Sequence, residues 1–314
     1  MTIPASGCYL VHERGESSDA GLADGAAPPA CTEAPWILFS YMGGSPAADI
    51  YAMHADGTEL HRLAFPDARI FEPSVSADGL FIGYVLLGGP LTPQTIAIYD
   101  TRAGTTQHLT LGTGISHPAF SPDASLISYA NGLDLHVVHR DGSGDRTLIT
   151  GPYDAGCCGW GYGHPVFESA STILWTSAGL TGAIHTDGTG MMPLLSSELW
   201  FASPTLSPDG TRLATLISCA GTGTNALRIY SLASLPADCT TGHIIADGLA
   251  ENADVGNTPN PSWGPTDMIA FGQMNDVFVI DASGGTPRNL TASLTAAGGA
   301  AGDPAWAPGC TRLP

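Results

Sequence analysis

The sequence predicts an all-β fold, a six-bladed β-propeller whose ring is closed by pairing the N- and C-terminal strands. Three observations predict it. A proline-headed segment recurs six times at near-regular spacing. Each copy is followed by the same order of short apolar runs and turn signals. The two ends of the array are each half a repeat, and the halves are complementary.

The recurring segments read EPSVSADG from Glu72, HPAFSPD from His117, HPVFES from His164, SPTLSPDG from Ser203, NPSWGP from Asn260 and DPAWAPG from Asp303. Their prolines, Pro73, Pro118, Pro165, Pro204, Pro261 and Pro304, are separated by 45, 47, 39, 57 and 43 residues. A β-rich period of about 40–50 residues suits four-stranded propeller blades. In each repeat the proline opens a first strand that runs into a turn. An apolar, β-prone second strand follows, as in Phe81–Leu86, Leu126–Tyr129, Ile173–Trp175, Leu213–Ile217 and Met268–Phe271. Third strands are expected at Asp49–Met53, Thr95–Tyr99, Asp134–Val138, Ala226–Leu232 and Asp276–Ile280. Asp-Gly pairs at 56–57, 141–142 and 187–188 then mark hairpin turns. Fourth strands close the units at Gln107–Thr110, Arg146–Thr150 and Arg288–Thr291. No long segment has a 3.6-residue apolar period, so helices should be scarce.

At the N-terminal end, Trp36–Tyr41 reads as a second strand with no first strand before it. At the C-terminal end, Pro304–Trp306 reads as a first strand with no second strand after it. Pairing them completes a sixth blade and covers the edges that an open array would leave. Aligning Trp306 with Trp263 puts Cys310 just after the first strand of that blade and Cys31 just before its second. A Cys31–Cys310 disulfide would latch the ring, and a loop of that length contributes about 4–5 kcal/mol by loop-closure entropy. The alternative is a pair of free, buried thiols.

Ser-Pro-Asp-Gly at 207–210, Ser-Pro-Asp at 121–123 and the strand-plus-Asp-Gly pattern after them resemble the propeller repeats of the TolB family. The resemblance covers about 36–309 and concerns the propeller only, without the domain that TolB carries before it. It implies the six-bladed fold. Its functional implication is broad, because related propellers serve as binding platforms, as caps on prolyl-oligopeptidase-like hydrolases and as oligogalacturonate lyases. No Gly-x-Ser-x-Gly nucleophile elbow is present, which argues against an attached serine hydrolase.

Residues 1–30 read as a flexible tether and 31–314 as the propeller. The stretch 13–30 is acidic and rich in Gly, Ala, Ser and Pro. Ala5-Ser6-Gly7-Cys8 resembles the end of a bacterial lipobox, which makes Cys8 a candidate for lipidation, although no basic and apolar leader precedes it. Seven cysteines point to an oxidising, extracytoplasmic compartment: secreted, periplasmic or an outer-membrane lipoprotein. The pairing of Cys157, Cys158, Cys219 and Cys239 stays open. The net charge is −19 and all 10 basic residues are Arg. That balance disfavours nucleic acid, anionic lipid and polyanionic substrates, and leaves a lipid anchor as the route to a membrane.

The inner strand of a blade lines the central channel. The residues just before the six prolines, Glu72, His117, His164, Ser203, Asn260 and Asp303, are therefore expected to ring one channel mouth. Asp303, Glu72, His117 and His164 fall on four successive blades. Two carboxylates and two imidazoles on one axis form a candidate divalent-metal site, with Zn or Mn favoured over Ca by the imidazoles. A water-holding polar ring is the simpler alternative. Ser203 and Asn260 continue the ring as ligand contacts. Tyr153, Trp160, Tyr162 and Trp200 are candidates to stack on a ligand or anchor a partner on the same face. The reading that follows is a non-catalytic module binding a protein or small-molecule ligand there. Its competitor is a metal-dependent lyase or hydrolase at the same mouth.

Overall fold

The computed structural model describes residues 33–43, 48–67, 69–87, 94–151, 163–177, 180–196, 201–218, 225–235, 237–238, 241–249, 260–296 and 298–314. The chain divides into Met1–Cys31, which lies outside the described residues, and Thr32–Pro314. The second unit is a six-bladed propeller. Among the described residues, helix is confined to one turn at Ala292–Thr295 and a 3-10 turn at Leu232–Ser234. No described helix is long and apolar enough to cross a membrane.

Five blades are built in chain order, from the channel outward. The second blade runs Ile70–Val75, Phe81–Leu86, Gln94–Asp100 and Thr105–Gly112. The third runs Ile115–Phe120, Leu126–Asn131, Asp134–His139 and Arg146–Ile149. The fourth starts at Gly163–Ser169, and its outer edge gains a short parallel strand, Ala237–Asp238. The fifth starts at Phe201–Leu206 and the sixth at Ser262–Trp263. The first blade is the closing one. Ala300–Ala307 from the C-terminus is its inner strand and pairs antiparallel with Trp36–Met42, which continues to Asp49–His54 and His61–Arg62. The ring therefore closes as the half-repeats at the two ends predict. The break in the chain falls between the first and second strands of that blade.

Six apolar clusters hold the blades together, one at each blade–blade interface. A middle strand lies between two neighbouring sheets, so both of its faces are covered. This is why Phe81–Leu86, Leu126–Asn131 and Met268–Gln273 carry four consecutive buried residues and show no period-two alternation.

The turns distant from the ring residues are set by short hydroxyl–carboxylate motifs. Between first and second strands, Ser76, Ser121 and Ser207 each donate to the Asp two residues on, at 2.6, 2.6 and 2.5 Å. The same hydroxyls accept the amides of Phe81, Leu126 and Arg212, each at 2.9 Å. Between third and fourth strands, Asp56, Asp141, Asp187 and Asp281 accept the amide two residues on. Gly142 follows its Asp at φ 88°, a conformation that an L side chain would strain. The stretch Asp141–Asp145 is thus a hairpin turn, with Asp141 bonded to Ser143 and Asp145 to Tyr129.

Candidate functional site

An inner strand is an edge strand, because one side of it faces the channel. Proline is tolerated there, and best of all at a bulge. In five blades the pairing register slips across the proline and the residue before it. The slips fall between Phe71 and Ser74, Ser116 and Ala119, Gly163 and Val166, Ala202 and Thr205, and, in the closing blade, opposite Leu38 and Ser40. The bulged residues take the left-handed backbone: Glu72 at φ 52°, His117 at 55°, His164 at 45°, Ser203 at 23° and Asp303 at 50°. Non-glycine residues seldom adopt that region, and the following proline restricts them further. Each such residue costs about 1–3 kcal/mol that the surrounding blade must sustain.

The bulge re-aims the side chain. Glu72, His117, His164, Ser203, Asn260 and Asp303, with the six prolines behind them, all line one cavity of about 240 Å³. The expectation from the sequence places this ring at the entry to the inner strands. The structure places it deeper. Glu72 is the third residue of Ile70–Val75 and Asp303 the fourth of Ala300–Ala307, because the bulge lets a strand begin before its proline.

Hydrogen bonds run from blade to blade around the ring. Ser203 Oγ donates to Asn260 Oδ1 at 2.7 Å, and Asn260 Nδ2 donates to Asp303 Oδ1 at 2.7 Å. Ser40, on the second strand of the closing blade, donates to the Asp303 carboxyl and accepts the Glu72 amide at 2.9 Å. The His117 amide donates to Glu72 Oε2 at 2.6 Å, and His117 Nε2 lies 3.3 Å from Glu72 Oε1. The His117 and His164 rings meet at 3.4 Å between centroids, inclined by 46°. His117 Nδ1 is buried without a hydrogen-bond partner. Ser40 is the member that the sequence does not announce. It is a lone hydroxyl in the apolar run WILFSYM, and its bond to Asp303 exists only once the ring is closed.

Burial sets the charge state of the ring. It pushes the Glu72 carboxyl up to about 7, against the opposing effect of the His117 amide. It pushes Asp303 up to about 6, helped by the negative charge of Glu72 and opposed by His117, Asn260 and Ser40. Burial lowers His117 to about 4, although Asp303 favours its charged form. His164 falls well below the usual histidine range through burial and the neighbouring His117. All four groups are thus driven toward neutrality, the expected result when charges lose water without gaining an opposite charge.

The structure therefore brings the six pre-proline residues together in one cavity. It does not gather the four candidate metal ligands on one point. Among the described residues, no group of three or more His, Cys, Asp and Glu side chains is placed to hold an ion. Glu72 is engaged by His117, and Asp303 by Asn260. Tyr153, Trp160, Tyr162, Trp200, Cys8 and Cys31 lie outside the described residues, as do Cys157, Cys158, Cys219 and Cys239. Cys310 is disulfide-bonded. Its neighbour Gly309 lies so close to Glu33 that a Cβ there would sit 2.3 Å from the Glu33 carbonyl oxygen.

Similarity to solved structures fixes the fold type. TolB from Acinetobacter baumannii superposes with a TM-score of 0.66 at 18% identity, over 87% of this chain and 67% of that one. A TolB-type structure from Agrobacterium tumefaciens gives 0.56 at 12% identity, over 82% and 89%. The chain folds as a TolB-like propeller. The TolB-like propeller also resembles a chain of the nidogen/laminin complex, with a TM-score of 0.57 at 15% identity over 79% and 90%. No protein-family model and no curated protein matches the sequence. At these identities the likeness carries the fold alone, and says nothing about individual ring residues.

Proposed function

We propose that this TolB-like propeller is an extracytoplasmic, non-catalytic binding module that receives a small ligand or a segment of a protein partner in its central channel. The observation that carries the reading is the ring of strained, non-glycine residues with positive φ in five of the blades, all facing one cavity. Strain repeated at equivalent positions needs a reason, and binding is the general one. A chain of similar fold was solved as part of a nidogen/laminin complex, which supports a protein as one kind of partner. Tyr153, Trp160, Tyr162 and Trp200 are proposed to extend the contact surface on the same face. The disulfide at Cys310, with Cys31 as the proposed partner, supports an oxidising compartment.

Ala119 lines the cavity, is half-buried and makes no side-chain hydrogen bond, so it is the place to plug the channel. A fragment and peptide set screened by ligand-observed NMR should give binders to the native protein that Ala119→Trp loses while keeping its fold. Recovery of the binders unchanged by mass spectrometry is expected. Binders indifferent to the plug, or turned over by the protein, would refute the reading, and turnover that needs metal would establish the lyase or hydrolase class instead. The tether is tested separately. The native protein should fractionate with membranes through Cys8, and Cys8→Ser should release it. An unmodified Cys8 thiol in the membrane-purified protein would refute lipidation.

A further inference from the structure

We infer that the channel ring is a receptor for a single organic cation, an ammonium or guanidinium head group, held between Asp303 and Glu72. This rests on the binding-module reading and narrows its ligand to one chemical class.

The direction of the hydrogen bonds comes first. Ser203 fixes the Asn260 amide so that its NH₂ faces Asp303. Ser40 also donates to Asp303, and the His117 amide donates to Glu72. Three fixed donors of the ring, Asn260 Nδ2, Ser40 Oγ and the His117 amide, thus point at the two carboxyls. Two carboxylates offer about eight lone-pair sites between them, so acceptor capacity remains after these bonds are counted. What the ring lacks is a donor that brings charge.

Nothing in the wall supplies it. The only titratable side chains lining the cavity, among the described residues, are Glu72, His117, His164 and Asp303. No Arg is among them, and the chain contains no Lys. The imidazoles are poor substitutes, because they are largely withdrawn from water and in ring contact with each other, where two charges would repel. Both carboxyls are accordingly held above the usual carboxylate range. With a cation between them, both can ionise. Glu72 can then accept the Nε2–H of His117, which frees the partnerless Nδ1 to act as a further acceptor.

Size and spacing select the kind of cation. A divalent metal needs several ligand atoms near 2.0–2.2 Å, and no three described candidate ligands converge that way. Ammonium and guanidinium groups work at hydrogen-bond distances of about 2.7–2.9 Å and tolerate acceptors on different blades. The cavity, about 240 Å³, lies below the ~300–1,000 Å³ of clefts that enclose a whole small ligand, so it suits a head group with its stem leaving along the channel. The six prolines beside the ring give that stem an apolar wall.

The test is calorimetry on chelator-treated protein, in buffer containing EDTA, at pH 8. The probes are L-argininamide, the capped tripeptide acetyl-Gly-Arg-Gly-amide, and citrullinamide as the uncharged match. Both arginine probes should bind one per chain, and citrullinamide at least tenfold more weakly. Tighter binding of the tripeptide assigns the cation to a protein partner, whereas equal affinity or better for argininamide assigns it to a free small molecule. Asp303→Asn with Glu72→Gln keeps size and hydrogen bonding and should weaken either probe at least a hundredfold. A matching circular dichroism spectrum and melting profile show that the double variant is folded. Binding that is indifferent to charge, or undiminished in the folded double variant, would overturn the inference. So would stoichiometric uptake of Zn or Mn, without EDTA, by a protein that takes neither arginine probe. If ligands of another class bind in a way that Ala119→Trp blocks while no cation binds, the channel-binding reading stands and the cation inference alone fails.

Discussion

A chain ending after Thr291 is expected to lose cooperative folding altogether, although it keeps more than nine-tenths of the residues. The truncation removes Ala300–Ala307, which is the inner strand of the closing blade and pairs with Trp36–Met42 along most of its length. Without it, the first blade has no channel strand, and the ring of inner strands is opened between the sixth and second blades. The apolar cluster joining the last blade to the first loses Ala301 and Trp306, and the cluster joining the first to the second loses Ala307. The loss is not confined to one repeat, because the C-terminal strand joins the two ends of the array. Trp306→Ala tests the same seam by a single side chain. Trp306 is 9% exposed, donates its indole N–H to the Ser262 carbonyl at 2.8 Å and lies against Gly264, where a Cβ would come within 2.4 Å of the ring. Its removal should cost about 3–5 kcal/mol, as for other buried aromatics. Thermal and urea unfolding followed by circular dichroism read both. A truncated protein that melts like the full chain would show that the seam is dispensable. Reduction of the Cys310 disulfide should lower the melting temperature in the intact chain and leave the blade structure unchanged below it.

The closing seam was legible in the sequence because a propeller repeat is a local pattern. Proline, apolar run and Asp-Gly turn recur within about 45 residues, and each turn bond joins residues two to five apart. The half-repeats at Trp36 and Trp306 are gaps in that pattern, so topology follows from counting. The ring residues could be named on the same grounds, since each is fixed by the proline after it. Their conformation could not. A positive φ at Glu72 or His117 depends on a bulge, and a bulge depends on the register against the next strand. Pre-proline residues ordinarily prefer extended backbone, so local preference points the other way. Ser40 was illegible for a related reason: it belongs to the first blade, 32 residues before Glu72 and 263 before Asp303, and meets Asp303 only through closure.

The second large effect is electrostatic, and its sign is opposite to that of an ordinary surface carboxylate. Burial raises Glu72 from 4.5 to about 7 in the folded protein. Between those values the folded state binds a proton that the unfolded state has released, so stability falls as pH rises through the window, and the loss is complete above about 7. A rise from 4.5 to about 7, at about 1.36 kcal/mol per pH unit, sets an upper bound of about 3–4 kcal/mol. Glu72→Gln removes the ionisable group. Its amide oxygen can still accept the His117 amide, and its NH₂ can face His117 Nε2 as a protonated carboxyl would. The variant should therefore be more stable than the native protein by about 2–3 kcal/mol at pH 8, and nearly equal to it below pH 4.5. The imidazoles act in the reverse sense. His117 resists protonation in the folded state down to about 4, so its contribution is lost as pH falls from 6.5 toward that value. In the native ring the carboxyl and imidazole effects oppose each other between pH 4 and 7, and the stability profile should be flat there. In Glu72→Gln the imidazoles act with one carboxyl fewer against them, so stability should climb with pH across the same window. Urea denaturation of both proteins at pH 5, 6, 7 and 8, in chelator and without added amines, measures the difference directly. Parallel profiles, or a variant less stable than the native protein at pH 8, would mean that Glu72 is already paired with a positive charge inside the channel and that the ring is not neutral when empty.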